Sequence, residues 1–417
     1  MRLALAAAVL LIGSSANAAD WPHWRGEGGN GVSTSAAPPT TWSDSENVKW
    51  KAAVPGRGSG SPVVWGDRVF LVTAISPSRP ESSAVIGGTL RFELRCYDRQ
   101  TGRLAWRRVA VESPPAGGTH RTNGYASASP TTDGERVYAH FGSQGTYCYT
   151  MEGEPVWQRD LGDMVTRASF GEGSSPVLEG EKLLVPWDHE GPSALYALDA
   201  KTGETLWSAP RDEPTCWATP LVVDAGGTKQ VVMNGQNYAR AYDLASGEEV
   251  WRCGGQTARP VASPVAGAGL VFVGSGYRGS FLGAFSPTGS GDLAGTQSIR
   301  WSKSRDTPDI ASLLLSGDRL YYYKGKSGLL TCVDAATGEP HYKTKRIGLS
   351  NIYASPVAAG GHVYLTDRDG TTVVIQDTAE LNIVAKNSVG ETVDATPAPV
   401  DGQLFIRGER HLFCIGE

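Results

Sequence analysis

The stretch SSPVLEGEKLLVPWDHEGPSALYALDAKTGETLWS, residues 174–208, alternates apolar runs with turn residues four times. Ser174 to Leu178 predicts a first strand and Glu179-Gly180-Glu181 a turn. Lys182 to Trp187 predicts a second strand, and Asp188 to Pro192 turns again. Ala194 to Asp199 predicts a third strand, Ala200 to Gly203 a tight turn, and Thr205 to Ser208 a fourth strand. No window carries a sustained 3.6-residue apolar period, so little helix is expected.

The opening of this stretch recurs along the chain. A Ser or Thr, usually followed by Pro, starts a strand-like run at Ser61, Ser129, Ser175, Thr219, Ser263, Ser312, Ser355 and Thr396. The steps between these positions are 68, 46, 44, 44, 49, 43 and 41 residues. Self-similarity at a period of roughly 40–50 residues marks a solenoid, propeller or array. Four short strands in a meander, repeated radially, make a propeller blade.

A second repeat sits between the third and fourth strands, as Ala197-x-Asp199-x-x-Thr202-Gly203-x-x-x-Trp207. Asp98, Thr101, Gly102 and Trp106 match it, as do Asp243, Ser246, Gly247 and Trp251. Asp334, Thr337 and Gly338 match with Tyr342 in the Trp position. Copies with altered turns end at Trp157 and Trp301, and the seventh keeps Asp377 but has Ala385 where Trp belongs. Asp caps such a turn, Gly supplies positive φ, and Trp buries a large area against the next sheet.

The eighth copy ends one strand short. The segment Asn47-Val48-Lys49-Trp50 precedes the first copy and also ends on Trp. The expected fold is therefore all-β: a single eight-bladed β-propeller of four-stranded antiparallel blades, the last closed by an N-terminal strand, which removes free sheet edges. The expected layout is a signal peptide over 1–18, an arm over 19–41 packed on the propeller, and the propeller over 42–417. The arm's Trp21 and Trp24 would be costly to leave in water.

Composition narrows the class. The 417 residues carry a net charge of −5, with 52 Gly, 25 Pro and 12 Trp. A mildly acidic, unclustered balance gives no basic face for nucleic acid. Arg2, the apolar run Leu3 to Ile12 and Ala16-Asn17-Ala18 form a secretory signal with cleavage after Ala18. The run is too short to remain as a membrane anchor, and no Cys follows it for lipid attachment. An exported, unlipidated, monomeric chain in the periplasm or secreted beyond it is expected. Cys96, Cys148, Cys332 and Cys414 share one repeat position, where Ala197 and Ala241 sit in other copies, so they read as small core fillers. Cys216 and Cys253 bracket one repeat and stay open as a pair.

The Ala-x-Asp-x-x-Thr-Gly-x-x-x-Trp repeat resembles the tryptophan-docking motif of pyrroloquinoline-quinone (PQQ)-type propellers, over essentially residues 42–417. The resemblance gives Trp50, Trp106, Trp157, Trp207, Trp251, Trp301 and Tyr342 a structural docking role. Two groups share that fold: quinoprotein alcohol dehydrogenases, with PQQ and a calcium ion in the central funnel, and the non-catalytic BamB-type propellers of outer-membrane assembly. The segment Trp21-Pro22-x-Trp24-Arg25-Gly26 is similar to the N-terminal signature of secreted PQQ-repeat proteins of unassigned role. The dehydrogenases carry adjacent cysteines beside the cofactor, whereas no two cysteines here are adjacent. No residue set matches their calcium ligands and catalytic Asp.

Other motifs read as turns. Gly274-Ser275-Gly276-Tyr277-Arg278-Gly279 spells a dinucleotide fingerprint but lies between two strand-like runs rather than before a helix. Asp367-Arg368-Asp369-Gly370 reads as a hairpin turn. The seven His show no metal-binding spacing. The insertion Ile75 to Phe92 is expected to form a flap. No catalytic residue and no metal site are assigned.

The loops before the inner strands gather at one mouth of a propeller channel. They carry Arg57, Arg167, Glu172, Trp217, Arg259, Asp309, Asn351 and Asp394, with Tyr125 and Tyr353 nearby. Mixed charges and aromatics converging on a concavity suit a ligand or peptide site. The leading expectation is a non-catalytic scaffold that binds a protein or peptide partner in the cell envelope, with no cofactor. The alternatives are a PQQ- and calcium-dependent oxidoreductase acting on an alcohol or sugar, and a carbohydrate-binding propeller.

Overall fold

Eight four-stranded sheets are arranged around a central channel in the computed structural model, which describes residues 20–43, 45–78 and 88–417. The signal segment 1–18 lies outside the described residues, as does most of the loop between Ile75 and Leu90. The flanks of that insertion are strand: Arg68–Ile75 pairs antiparallel with Leu90–Asp98, so the first blade has a longer hairpin than the expected flap boundaries allowed.

Blade 3 shows the common plan. Val177–Glu179, Lys182–Trp187, Ser193–Asp199 and Thr205–Arg211 form an antiparallel meander from the channel outward. The sequence reason is continuous apolar burial in the two middle strands. Leu183, Leu184, Val185, Leu195 and Leu198 are fully buried, while the outer strand alternates. A sheet sandwiched between neighbours on both faces needs apolar residues on both sides of its central strands. Blade 4 gains a fifth strand, Gly291–Asp292, parallel to Trp251–Arg252.

The ring closes in the eighth blade. Val48–Ala53 pairs antiparallel with His411–Ile415, placing Trp50 opposite Cys414. All six cysteines are buried and free, Cys216 and Cys253 included.

The second repeat has a local cause. Asp199 Oδ1 accepts from the Lys201 and Thr202 amides at 2.9 and 2.8 Å, which fixes the turn. Gly203 follows at φ 75, and a Cβ there would meet the Trp157 ring at 2.7 Å. The same glycine therefore serves two needs, positive φ and a seat for the neighbouring indole. The Trp157 Nε1 then donates to Ala200 O at 3.0 Å. Trp50, Trp106, Trp207 and Trp301 each donate to a carbonyl of the next blade at 2.9–3.1 Å. Trp251 differs and donates to Gln230 Oε1 within its own blade at 3.0 Å. The Tyr342 hydroxyl is buried without a hydrogen-bond partner.

The first repeat has a cause too. The Ser61 amide donates to Ser129 Oγ, Ser129 to Ser175, Ser175 to Thr219 and Thr219 to Ser263. Ser263 donates to Ser312, Ser312 to Ser355, Ser355 to Thr396, and Thr396 back to Ser61. These eight bonds of 2.8–3.1 Å form a closed circle around the channel. A hydroxyl at that position satisfies the first inner amide of the preceding blade, which would otherwise be buried and unpaired.

Residues from Trp21 to Ser33 brace the end of the channel away from the mouth. Trp21 exchanges backbone bonds with Val64 at 2.8 and 3.0 Å in blade 1. Pro22 O accepts from the Thr132 amide of blade 2, and Asn30 bonds Ala266 of blade 5 in both directions. Val32–Ser33 adds parallel to the inner strand of blade 7. The Arg25 guanidinium is buried and donates to Pro356 O at 2.8 Å, Asn30 O at 2.7 Å and Leu313 O at 2.5 Å. Burial pulls Arg25 down to about 9.

Candidate functional site

The circle of hydroxyls and the brace make the lower end of a cavity of about 310 Å³. Trp24 projects into it and donates from Nε1 to Thr396 Oγ1 at 3.2 Å. Ser61, Ser129, Ser175, Thr219 and Ser355 also line it. The opposite end is formed by the loops that precede the inner strands and by hairpin loops between second and third strands. Two strands up and two down bring both loop types to the same face.

Four sequence-predicted residues meet in this cavity: Trp217, Arg259, Tyr353 and Asp394. Trp217 stands 6.3 Å from Phe170 between ring centres and donates to Gly171 O at 2.7 Å. Arg259 lies over Tyr277, its guanidinium carbon 3.7 Å from the ring centre. Its Nη2 meets Asp309 Oδ2 at 3.5 Å. Asp309 is buried, and burial raises its pKa against the pull of Arg259 and Lys326. Tyr353 reaches across the mouth and donates to Thr122 Oγ1 at 3.2 Å. Asp394 is held at both oxygens by Arg368, at 2.7 and 3.3 Å. Burial nonetheless leaves its pKa raised.

The other predicted residues stand apart. Tyr125 and Glu172 share a small crevice between blades 2 and 3. Glu172 accepts from the Ser143 amide at 2.8 Å and from its hydroxyl, and a Cβ on Gly142 would strike it. Burial raises the Glu172 pKa more than these bonds lower it. Arg57 donates to Arg121 O at 2.7 Å on the rim. Arg167 turns outward to Gln236 Oε1 at 3.0 Å and to Glu190 at 3.8 Å. Asn351 is exposed, with φ 53.

The structure adds His120, Phe170, Tyr277, Lys326 and Trp24 to the wall. His120 bonds Thr122 Oγ1 at 2.8 Å and packs edge-on against Phe170. Burial lowers its pKa, and Arg121, Lys326, Arg259 and Arg368 add to the effect. Tyr277 and Lys326 lie on the second-to-third strand hairpins. Counting strand parity from the repeat places those hairpins at the mouth and would have found them.

The family model described as outer membrane protein assembly factor BamB matches residues 27–169 and 147–380. The chain belongs to the BamB-like family of PQQ-type propellers. No curated protein matches. Among solved structures, BamB from Moraxella catarrhalis is similar at 14% identity and TM-score 0.60, covering 88% of this chain and 99% of that one. The quinohemoprotein alcohol dehydrogenase from Comamonas testosteroni is similar at 12% identity and TM-score 0.64, covering 96% and 82%. The computationally designed Ika8 protein is similar at 12% identity and TM-score 0.56, covering 93% and 99%. At these identities the likeness establishes the propeller fold of this BamB-like chain and no activity.

The donor set does not fit the calcium ion of the quinoprotein group. Asp394 is the carboxylate on the cavity wall, and Arg368 occupies both its oxygens. Among the described residues no group of three or more His, Cys, Asp or Glu converges to hold a metal. Nor is any helix among them long and apolar enough to cross a membrane. The Asp367 turn is a hydrogen-bonded hairpin: its Oδ1 accepts from the Asp369 and Thr371 amides, both at 3.1 Å.

Proposed function

We propose that the protein is an exported, non-catalytic scaffold of the cell envelope that docks a partner polypeptide at the channel mouth. One observation carries the reading. The cavity is open where loops converge, braced at its other end, and walled by aromatic and cationic side chains whose carboxylate neighbours are already engaged by arginine. Such a wall offers stacking area and hydrogen-bond donors without the paired acid and base that catalysis by proton transfer needs. Membership of the BamB-like family supports the same direction. The PQQ-dependent oxidoreductase reading lacks a donor set for its cation, and the carbohydrate reading has no observation that favours it over a peptide.

A photo-crosslinking residue in place of Asn351, at the rim, tests this reading in envelope extract. Adducts from Asn351 and none from the exposed outer-strand position Val384 are expected. Equal yields from both positions, or none from either, would sink it. The reading also expects the mature chain to begin at Ala19 in the envelope fraction.

A further inference from the structure

We infer that the channel cavity receives an acidic segment of the partner, its carboxylate held by Arg259 with Lys326 and His120 alongside. The inference rests on the mouth being the docking site and names the chemistry of what docks there.

The first support is charge. Arg368 engages Asp394 and Arg259 meets Asp309, so the cation on the wall outside these two pairs is Lys326, which lies beside His120 and Arg259 in the lining. A chain with net charge −5 thus presents arginine and lysine donors at this cavity mouth. Low-dielectric walls lined by one sign of charge focus the field on an incoming counter-charge.

The second support is the state of Arg259. It sits at φ 48, in the left-handed region that a long side chain rarely adopts. Such strain persists where the surroundings impose it, and it clusters at ligand-gripping positions. The guanidinium is oriented by Tyr277, and its nearest approach to Asp309 is 3.5 Å, from Nη2 to Oδ2. Arg259 Nε is buried with no partner, and so is Asp309 Oδ1. An arginine that served only Asp309 would close the two-point fork that carboxylates favour. Nε is enclosed, so the donors that a carboxylate in the cavity would meet are the Nη groups, which Asp309 does not clasp as a fork. Lys326 lies over the Tyr353 ring, 5.4 Å from its centre, rather than on a carboxylate.

The third support is shape. The cavity is closed below by Trp24 and the brace, so a chain can enter but not thread through. Its size is at the small end of ligand pockets, which suits an acidic side chain with its neighbours and not a folded domain. Phe170 and Trp217 give an apolar shelf beside the charged side. Ser61, Ser129 and Ser175 each accept a bond from the preceding blade, which leaves their own hydrogens available as donors.

The test uses the mature chain and fluorescence anisotropy with a labelled hexapeptide of alternating Glu and Phe, and its analogue with Gln for Glu. The Glu peptide is expected to bind, to weaken as salt rises, and to exceed the Gln peptide by about tenfold or more. Arg259→Gln should cost the Glu peptide about tenfold and the Gln peptide little, and Lys326→Gln about threefold. Arg259→Lys, which keeps the charge and loses the fork, should fall between. Lys326 is exposed, so its variant remains informative if Arg259→Gln misfolds. Equal binding of the two peptides, or insensitivity to both substitutions, overturns the inference. Displacement by free glutamate at the peptide's own concentration overturns the requirement for a segment. If both peptides bind equally and Trp217→Ala weakens both, charge selection falls while the docking mouth stands. If neither binds and Asn351 gives no adducts, both fall.

Discussion

The two ends of the channel are built by the same eight blades and are held in opposite ways. The braced end is made of short turns, backbone hydrogen bonds and one buried arginine that binds only carbonyl oxygens. The mouth is made of loops whose charged side chains bind one another, and it carries Ala168, Ser169, Arg259 and Asn351 at positive φ, as Ala268 and Asp401 do in tight turns at the braced end. Neutral backbone partners leave no charge to trade with a ligand. Side-chain ion pairs at an opening do. On the proposed function, stability is concentrated below and recognition above, the usual division between scaffold and loops.

The strongest way to break this division is at Arg25. Arg25→Ala removes donors from Pro356 O and Leu313 O and leaves a void in the brace. A loss of about 3 kcal/mol or more is expected, read by denaturant unfolding; a loss under about 1 kcal/mol would show that the brace is dispensable. Ser129→Ala opens the hydroxyl circle and orphans the buried Ser61 amide. It should cost about 1–2 kcal/mol. By contrast Lys326→Gln at the mouth should stay within about 0.5 kcal/mol.

A smaller effect lies at the seam where the ring closes. Glu391 accepts from the Arg410 amide at 3.0 Å, from His411, and from Lys51 of the closing strand at 3.3 Å. Burial opposes its ionisation, yet these partners prevail and hold its pKa below 4.5. A carboxyl depressed by folding stabilises the native state above its unfolded pKa and loses that contribution as pH falls through its folded pKa. Thermal unfolding followed from pH 6 to pH 3 should therefore show the gap between the native chain and Glu391→Gln closing below about pH 4.5. A gap that stays constant would place the stabilisation elsewhere.

Much of the lower half was legible in the sequence because it is repetitive. Ser or Thr at each inner strand, and Gly four residues before Trp106, Trp157, Trp207, Trp251 and Tyr342, recur because each copy solves one packing problem in one way. The hydroxyl circle itself was not legible, since a small residue before Pro reads equally as a turn. Closure was legible because a strand was missing at one end and Trp50 was spare at the other. The mouth was half legible. Loops before the inner strands could be placed from the repeat, which gave Trp217, Arg259, Tyr353 and Asp394. Tyr277 and Lys326 lie on hairpins whose length varies from copy to copy. Trp24 reaches the cavity only through the brace, a contact far apart in sequence that no local pattern encodes.

The finest test of the division uses backbone strain. Ala168 sits at φ 50 and is exposed, in a loop of the mouth. An L-residue there costs roughly 1–2 kcal/mol relative to glycine. Against this, glycine raises the entropy of the unfolded chain by an amount worth about 0.4–1 kcal/mol. The difference predicts that Ala168→Gly leaves stability unchanged or raises it by up to about 1.5 kcal/mol. Gly203→Ala is the opposite case, because φ 75 and the Trp157 ring 2.7 Å away both oppose a Cβ. That substitution should cost about 1–3 kcal/mol. If Ala168→Gly proved as damaging as Gly203→Ala, the loop would be as tightly packed as the docking turns, and the mouth would lose its standing as the adaptable end of the channel.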